Sequence, residues 1–325
     1  MRLDIKQHIL DATHADNLSL RETIQSLWGG YGSLDRYDLV GADFDTVIVK
    51  HVSFHGQNCH PRGWNTDISD QRKRRSYQVE SAWYEQWAER CDSTNRVPRC
   101  FAVKQMEQEV IMVMEDLAGA GYPQIATSIR ATEMHRVLDW LANFHATFMG
   151  ETPIGIWPTG TYWHLATRPD ELMAMADGPL KQAASALDKI LNEAPYQTFV
   201  HGDAKLANFC FSDEGEQVAA VDFQYVGGGC GMKDVAYFMG SCLGENECER
   251  QEAALLDHYF SSLRGALARR QPKLDTKAVE SAWRPLYSVA WTDFYRFLQG
   301  WSPGHWKIHA YSERLAHAVL GSLKT

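Results

Sequence analysis

Between Tyr37 and Val52 the chain reads YDLVGADFDTVIVKHV, two short apolar runs separated by a Gly/Ala/Asp turn. The first covers Tyr37 to Val40; the second, Thr46 to Val52, is dense in β-branched residues, so the pair predicts a β-hairpin. Two more strands are predicted near Arg99 to Gln105 and at Glu109 to Glu115, the latter reading EVIMVME. Between the hairpin and these strands, about Ser76 to Arg90, Val79, Ala82, Trp83 and Trp87 share one face at helical spacing. After Leu117 the pattern changes: Val137, Leu138, Leu141, Phe144, His145 and Phe148 recur every three or four residues, which predicts an amphipathic helix opening a mainly helical second half. The chain therefore divides into a small sheet with one helix inserted and a larger helical part. The boundary falls between Glu115 and Gly121, giving segments 1–117 and 118–325.

Composition narrows the class. With 325 residues, 45% hydrophobic and 22% charged, the chain can bury a sizeable core and is globular. The net charge of −9 argues against a nucleic acid or an anionic membrane as a general partner. Against that background the basic run Arg72 to Arg75 reads as a solvated face. The seven cysteines are odd in number, scattered and without a C-x-x-C pair, which argues against a disulfide framework or a zinc site and fits a reducing cytoplasm. The N-terminal MRLDIKQHIL does not read as a signal peptide, and no apolar run has the length of a membrane span. His51, His55, Cys59 and His60 lie close together but lack an organising ligand spacing, so they read as loop residues.

The chemistry concentrates in two segments, FVHGDAKLANFCF (Phe199 to Phe211) and VAAVDFQYV (Val218 to Val226). His201, Asp203 and Asn208 stand at H-x-D-x-x-x-x-N, and Asp222 follows the next apolar run, the spacing used in protein-kinase-type phosphoryl transfer. There one aspartate faces the acceptor hydroxyl while an asparagine and a second aspartate hold Mg²⁺, a hard cation suited to oxygen ligands. Upstream, Lys50 ends the strand TVIVK, where an ammonium can reach the α- and β-phosphates of ATP, and Glu80 on the following helix can pair with it. The segment Gly29, Gly30, Tyr31, Gly32, Ser33 brings backbone N–H groups free of Cβ interference, as a phosphate-covering loop requires.

Taken in order, these motifs resemble the kinase-like phosphotransferases that include aminoglycoside phosphotransferases, choline kinases and ecdysteroid kinases. The resemblance runs from the glycine segment through VIVK, YQVESAWYE, VMEDL, LANFHATF and HGDAKLAN to DFQ and DVAYF. H-G-D and D-F-Q place it nearest the ecdysteroid-kinase-like branch. It implies an α+β, bilobal protein-kinase-like fold with ATP between a small strand-rich lobe and a larger helical one. It further implies that VMEDL is a hinge holding adenine through the Glu115 carbonyl and the Leu117 N–H. Asp234 would support the catalytic loop without touching substrate. Lys205 sits where protein kinases often place a lysine near the γ-phosphate, whereas the ecdysteroid-kinase-like members more often have an aromatic. Asp234 follows Asp222 too closely, and without A-P-E, for a phosphorylatable activation segment.

The implied activity is ATP-dependent phosphorylation of a hydroxyl on a small molecule, with Mg²⁺ as cofactor. The alternatives are a choline/ethanolamine- or aminoglycoside-type kinase and, from another class, a pseudokinase that only binds. The last stretch, Ser281 to Thr325, bears on the acceptor: it holds nine aromatics and only Asp293 and Glu313 against Arg284, Arg296, Lys307, Arg314 and Lys324. A polycationic acceptor needs carboxylates, so this composition points to a neutral or weakly charged alcohol, with at least half of the aromatics serving as core.

Overall fold

A computed structural model describes residues 2–54 and 66–323. His55, Cys59 and His60 lie outside the described residues, so the predicted loop histidines are represented by His51 alone, on a strand.

The N-terminal part is a five-stranded antiparallel sheet ordered β1-β2-β3-β5-β4: β1 (Asn17–Ser26), β2 (Gly32–Val40), β3 (Thr46–Ser53), β4 (Cys100–Gln105) and β5 (Glu109–Glu115). Alternation along β3 and β5 sorts their side chains between two cores. Val47, Val49, Ile111 and Val113 face outward beneath a helix, α1 (Leu3–Thr13), which contributes Ile5 and Ile9. Ile48, Val52, Val110, Met112 and Met114 face inward and join the core that continues into the rest of the chain. On this inner face lies α2 (Asp67–Gln86).

Three expectations need correction here. The sheet carries two helices, because α1 closes the outer face that the strand pattern leaves apolar. It also has an extra edge strand, β1, in which Leu18 is the buried residue and the other positions are exposed. And α2 begins well before Ser76: Thr66 caps it by accepting from the Ser69 N–H (3.2 Å), with Asp67 and Asp70 in its first turn.

The remainder contains β6 (Gln124–Ile125), α3 (Ala131–Phe148), α4 (Pro169–Ala174), α5 (Pro179–Gln182), α6 (Ala184–Asn192), β7 (Thr198–Val200), β8 (Phe209–Phe211), β9 (Val218–Ala220) and β10 (Gly227–Gly229). It closes with α7 (Met232–Cys242), α8 (Glu245–Arg270), α9 (Thr276–Trp283), α10 (Leu286–Trp301) and α11 (Ala310–Ser322). This is the mixed α+β architecture expected, with sheet first and helices after. Strand β7 pairs with β10, while β8 lies between β6 and β9. These short pairings hold the two motif segments side by side. No helix among the described residues is long and apolar enough to cross a membrane.

The basic run does not form a solvated face. Arg72 is buried and bonds the Thr167 carbonyl (2.8 Å), Lys73 donates to Gln224 Oε1 (2.7 Å), Arg74 pairs with Asp70 (2.8 Å), and Arg75 donates to the Gly155 carbonyl (3.2 Å). Three of the four thus tie α2 to segments far along the chain.

Candidate active site

Strand alternation places Lys50 on the inner face with Ile48 and Val52, so its side chain is aimed at α2. There its Nζ meets Glu80 Oε2 at 2.6 Å, with both residues buried, and Asp222 Oδ1 lies 3.8 Å from the same nitrogen. Burial alone would lower the Lys50 pKa, but the two carboxylates outweigh it and hold the lysine above its ordinary value. Burial likewise pushes Glu80 up despite Lys50, whereas Asp222 is held below the usual carboxylate range because Lys50, Lys205 and Lys73 outweigh its burial.

The loop between β7 and β8 carries the second group. Asp234, fully buried in the first turn of α7, accepts from the His201 N–H (2.6 Å) and the Gly202 N–H (3.0 Å), and His145 Nε2 lies 3.1 Å from it. His145 Nδ1 in turn meets the Tyr259 hydroxyl at 2.8 Å, so this histidine is a satisfied core residue. Gly202 has φ +79°, and a Cβ there would lie 2.1 Å from the Tyr225 carbonyl oxygen. Glycine is therefore required immediately before Asp203. Phe223 stacks on Trp83 of α2 (4.5 Å between centroids) and contacts His201 (4.7 Å), joining that helix to the loop.

Asp203 is 6% exposed: Lys205 Nζ donates to its Oδ2 (3.0 Å), Asn208 Nδ2 donates to its carbonyl (2.8 Å) and its Oδ2 (3.1 Å), and its own N–H donates to His201 Nδ1 (3.3 Å). The adjacent carboxylate raises the Lys205 pKa more than burial lowers it. Because the Asn208 amide nitrogen is committed to Asp203, its oxygen is the atom left for a ligand. Asp222 has φ +67°, uncommon for a residue with a Cβ, and its Oδ1 is buried without a hydrogen-bond partner among the described residues. One amide oxygen and one orphaned carboxylate oxygen are the hard donors a Mg²⁺ ion takes, so the residues present fit that ion.

A cavity of about 700 Å³ runs from the glycine segment to α10 and the loop after it, and Gly29, Asp203, Lys205 and Asp222 line it. Lys50 and Glu80 sit behind Asp222, and Asn208 sits behind Asp203. The other expected residues are placed elsewhere. Gly30 is exposed, and Ser33 Oγ donates to Asp35 (2.7 Å). Gly32 opens β2 against the carbonyl of His51, where a Cβ would lie 1.9 Å from the oxygen. Glu115 ends β5 with its carboxylate on Arg96 (2.5 and 2.6 Å), and neither it nor Leu117 lines this cavity. Among the lining residues, Lys73 stood in the basic run, Tyr237 in DVAYF and Lys307 among the C-terminal bases, where nothing in the local pattern pointed to this cavity, and Tyr162 had no signal at all. Only the period of α2, read from its true start, could have placed Lys73 on the Glu80 face.

The phosphotransferase enzyme family matches residues 23–272. No curated protein matches the chain by sequence. Among solved structures the chain is similar to a microcompartment-associated aminopropanol kinase, with 17% identity and a TM-score of 0.55 over 99% of this chain and 95% of that one. It is also similar to an aminoglycoside phosphotransferase in ternary complex with ADP and hygromycin B (11%, 0.45, 98% of each). A third is a macrolide 2'-phosphotransferase from Brachybacterium faecium (13%, 0.49, 97% of each).

Proposed function

The chain belongs to the phosphotransferase enzyme family, and on that premise we propose that it transfers the γ-phosphoryl group of ATP to the hydroxyl of a neutral or weakly charged small molecule. The observation that carries this reading is that Asp203 and Asp222 line one cavity, with Asn208 bonded to the first and the Lys50–Glu80 pair beside the second.

In this reading the segment 1–117 is the nucleotide lobe and 118–325 the catalytic and acceptor lobe. Glu115 and Leu117 hold adenine through their backbone, and the Gly29 to Ser33 segment covers the phosphates. Lys50, set by Glu80, steadies the α- and β-phosphates as a desolvated cation, which strengthens its attraction for them. Asn208 and Asp222 would hold Mg²⁺, which when bound neutralises charge on the β- and γ-phosphates. Asp203 orients the acceptor hydroxyl and receives its proton. The acceptor oxygen forms the new O–P bond while the bond from the γ-phosphorus to the bridging oxygen breaks, its electron pair leaving with ADP. Lys205, bonded to Asp203 and lining the cavity, supplies a positive charge for the transferring group. H-G-D and D-F-Q favour the ecdysteroid-kinase-like side of the family, and the scattered thiols favour a cytoplasmic setting.

The test is phosphate transfer from γ-labelled ATP across a panel of hydroxylated small molecules, run beside Asp203→Asn. The wild-type protein is expected to yield a phosphate monoester and ADP in equal amounts, and the variant to lose at least about 100-fold in turnover. Nucleotide binding without transfer to any panel member would favour a binding module, and an unimpaired variant would remove Asp203 from its role.

A further inference from the structure

Of the five bases counted in the final stretch, Lys324 lies outside the described residues and three are neutralised. Arg296 is buried on Asp293 (2.9 Å), Arg284 pairs with Glu280 (2.7 Å) and Asp257 (2.8 Å), and Arg314 with Glu249 (2.9 Å). Lys307 differs. Among the described residues no carboxylate lies within ion-pair distance of its Nζ, which instead sits over the rings of Tyr237 (4.7 Å), Phe294 (5.4 Å) and Trp306 (5.6 Å). Burial pushes its pKa down to about 8, so at neutral pH it still carries its proton, a charge partly stripped of water and without a counter-ion.

The position of this ammonium gives it a use. Tyr237, whose ring it covers, interacts through its hydroxyl with Asp203 and Tyr162, and Lys307, Tyr237 and Asp203 line the same cavity. The cavity's other lysine without a carboxylate partner, Lys73, lies toward Asp222 and donates to Gln224, on the side that would receive the ATP phosphates. Two of the cavity's three acids are engaged, Asp203 with Lys205 and Asn208 and Asp70 with Tyr31 and Arg74, while Asp222 lies beside Lys50 with the oxygen that fits Mg²⁺. A cationic group beside Lys307 would find the faces of Tyr237, Phe294 and Trp306 already covered by the protein's own ammonium, with Asp203 already bonded to Lys205. An anion near Lys307 would be met by a ready partner.

Resting on the kinase reading above, we propose that the acceptor is a hydroxy acid, with its carboxylate on the Lys307 ammonium and its hydroxyl at Asp203. Phe294 and Trp301 supply apolar wall between the two ends.

The experiment uses aromatic and alicyclic hydroxy acids, each paired with its primary amide, titrated by calorimetry into the full chain holding AMP-PNP and Mg²⁺, with ³¹P NMR of the same pairs in ATP. The acids are expected to bind at least tenfold more tightly than their amides. In Lys307→Met that advantage should fall to threefold or less, while Lys307→Arg retains it and AMP-PNP affinity is the same in all three proteins. Amides that bind as well as acids, a panel in which no acid binds, or a methionine variant that keeps the preference would overturn the proposal. Phosphate esters formed only on amides would leave the kinase reading standing while this one falls. Acids bound through Lys307 without any ester formed from ATP would do the reverse.

Discussion

Lys307 weakens the fold that contains it. Its folded pKa of about 8 lies below the ordinary 10.5, because burial and nearby Lys205 disfavour the charged form more than Cys242 and Asp203 support it. Between those two pH values the unfolded chain binds the proton and the folded chain does not, so stability rises with pH across that window, and below pH 8 the full penalty applies. Lys307→Met removes the penalty. The variant should therefore melt at a higher temperature than wild type at pH 7, with the gap narrowing as pH rises from 8 and closing above 10.5. A gap that is absent at pH 7, or that widens with pH, would contradict the burial argument. Lys50 shows the opposite arrangement, where Glu80 at 2.6 Å offsets the burial of the ammonium.

At the scale of elements, the loop between β7 and β8 is held from outside itself. Its first two N–H groups bond Asp234 of α7, His201 approaches the Val221 carbonyl at 3.0 Å, and Gly202 fits against the Tyr225 carbonyl because it has no Cβ. Gly202→Ala combines a left-handed φ, which costs about 1–3 kcal/mol, with a collision against backbone atoms that cannot rotate away. The expected result is a melting temperature lower by several degrees and at least tenfold slower phosphate transfer, because Asp203 is the next residue. Calorimetry and turnover that both match wild type would show that the loop accommodates a side chain. The same outside control explains α2, whose basic turn is anchored by Thr167, Gly155 and Gln224.

Across the whole molecule, Asp222 is where the sheet, α2 and the helical part meet. It faces Lys50 from β3, follows β9, and its neighbour Phe223 stacks on Trp83 of α2. Asp222→Ala should abolish the extra thermal stabilisation that Mg²⁺ adds to ATP while leaving ATP alone with a similar, smaller shift. A Mg·ATP shift equal to wild type would remove Asp222 from the proposed metal site.

The features legible in the chain are those written within one turn or one pleat. Strand β5 was readable at its true bounds, Glu109 to Glu115, and α3 as an amphipathic helix, because burial there follows a local period. The types and spacing of His201, Asp203, Asn208 and Asp222 were readable too, since phosphoryl transfer needs particular groups in a particular order. Strand β1 was not, because a two-sided polar edge strand owes its place to pairing with β2 and carries a single buried residue, Leu18. Nor was the true character of Arg72 to Arg75 or of Lys307. A charge has no period, and whether it is solvated, paired or caged depends on groups such as Thr167, Gln224 and Tyr237 that only the folded chain brings beside it.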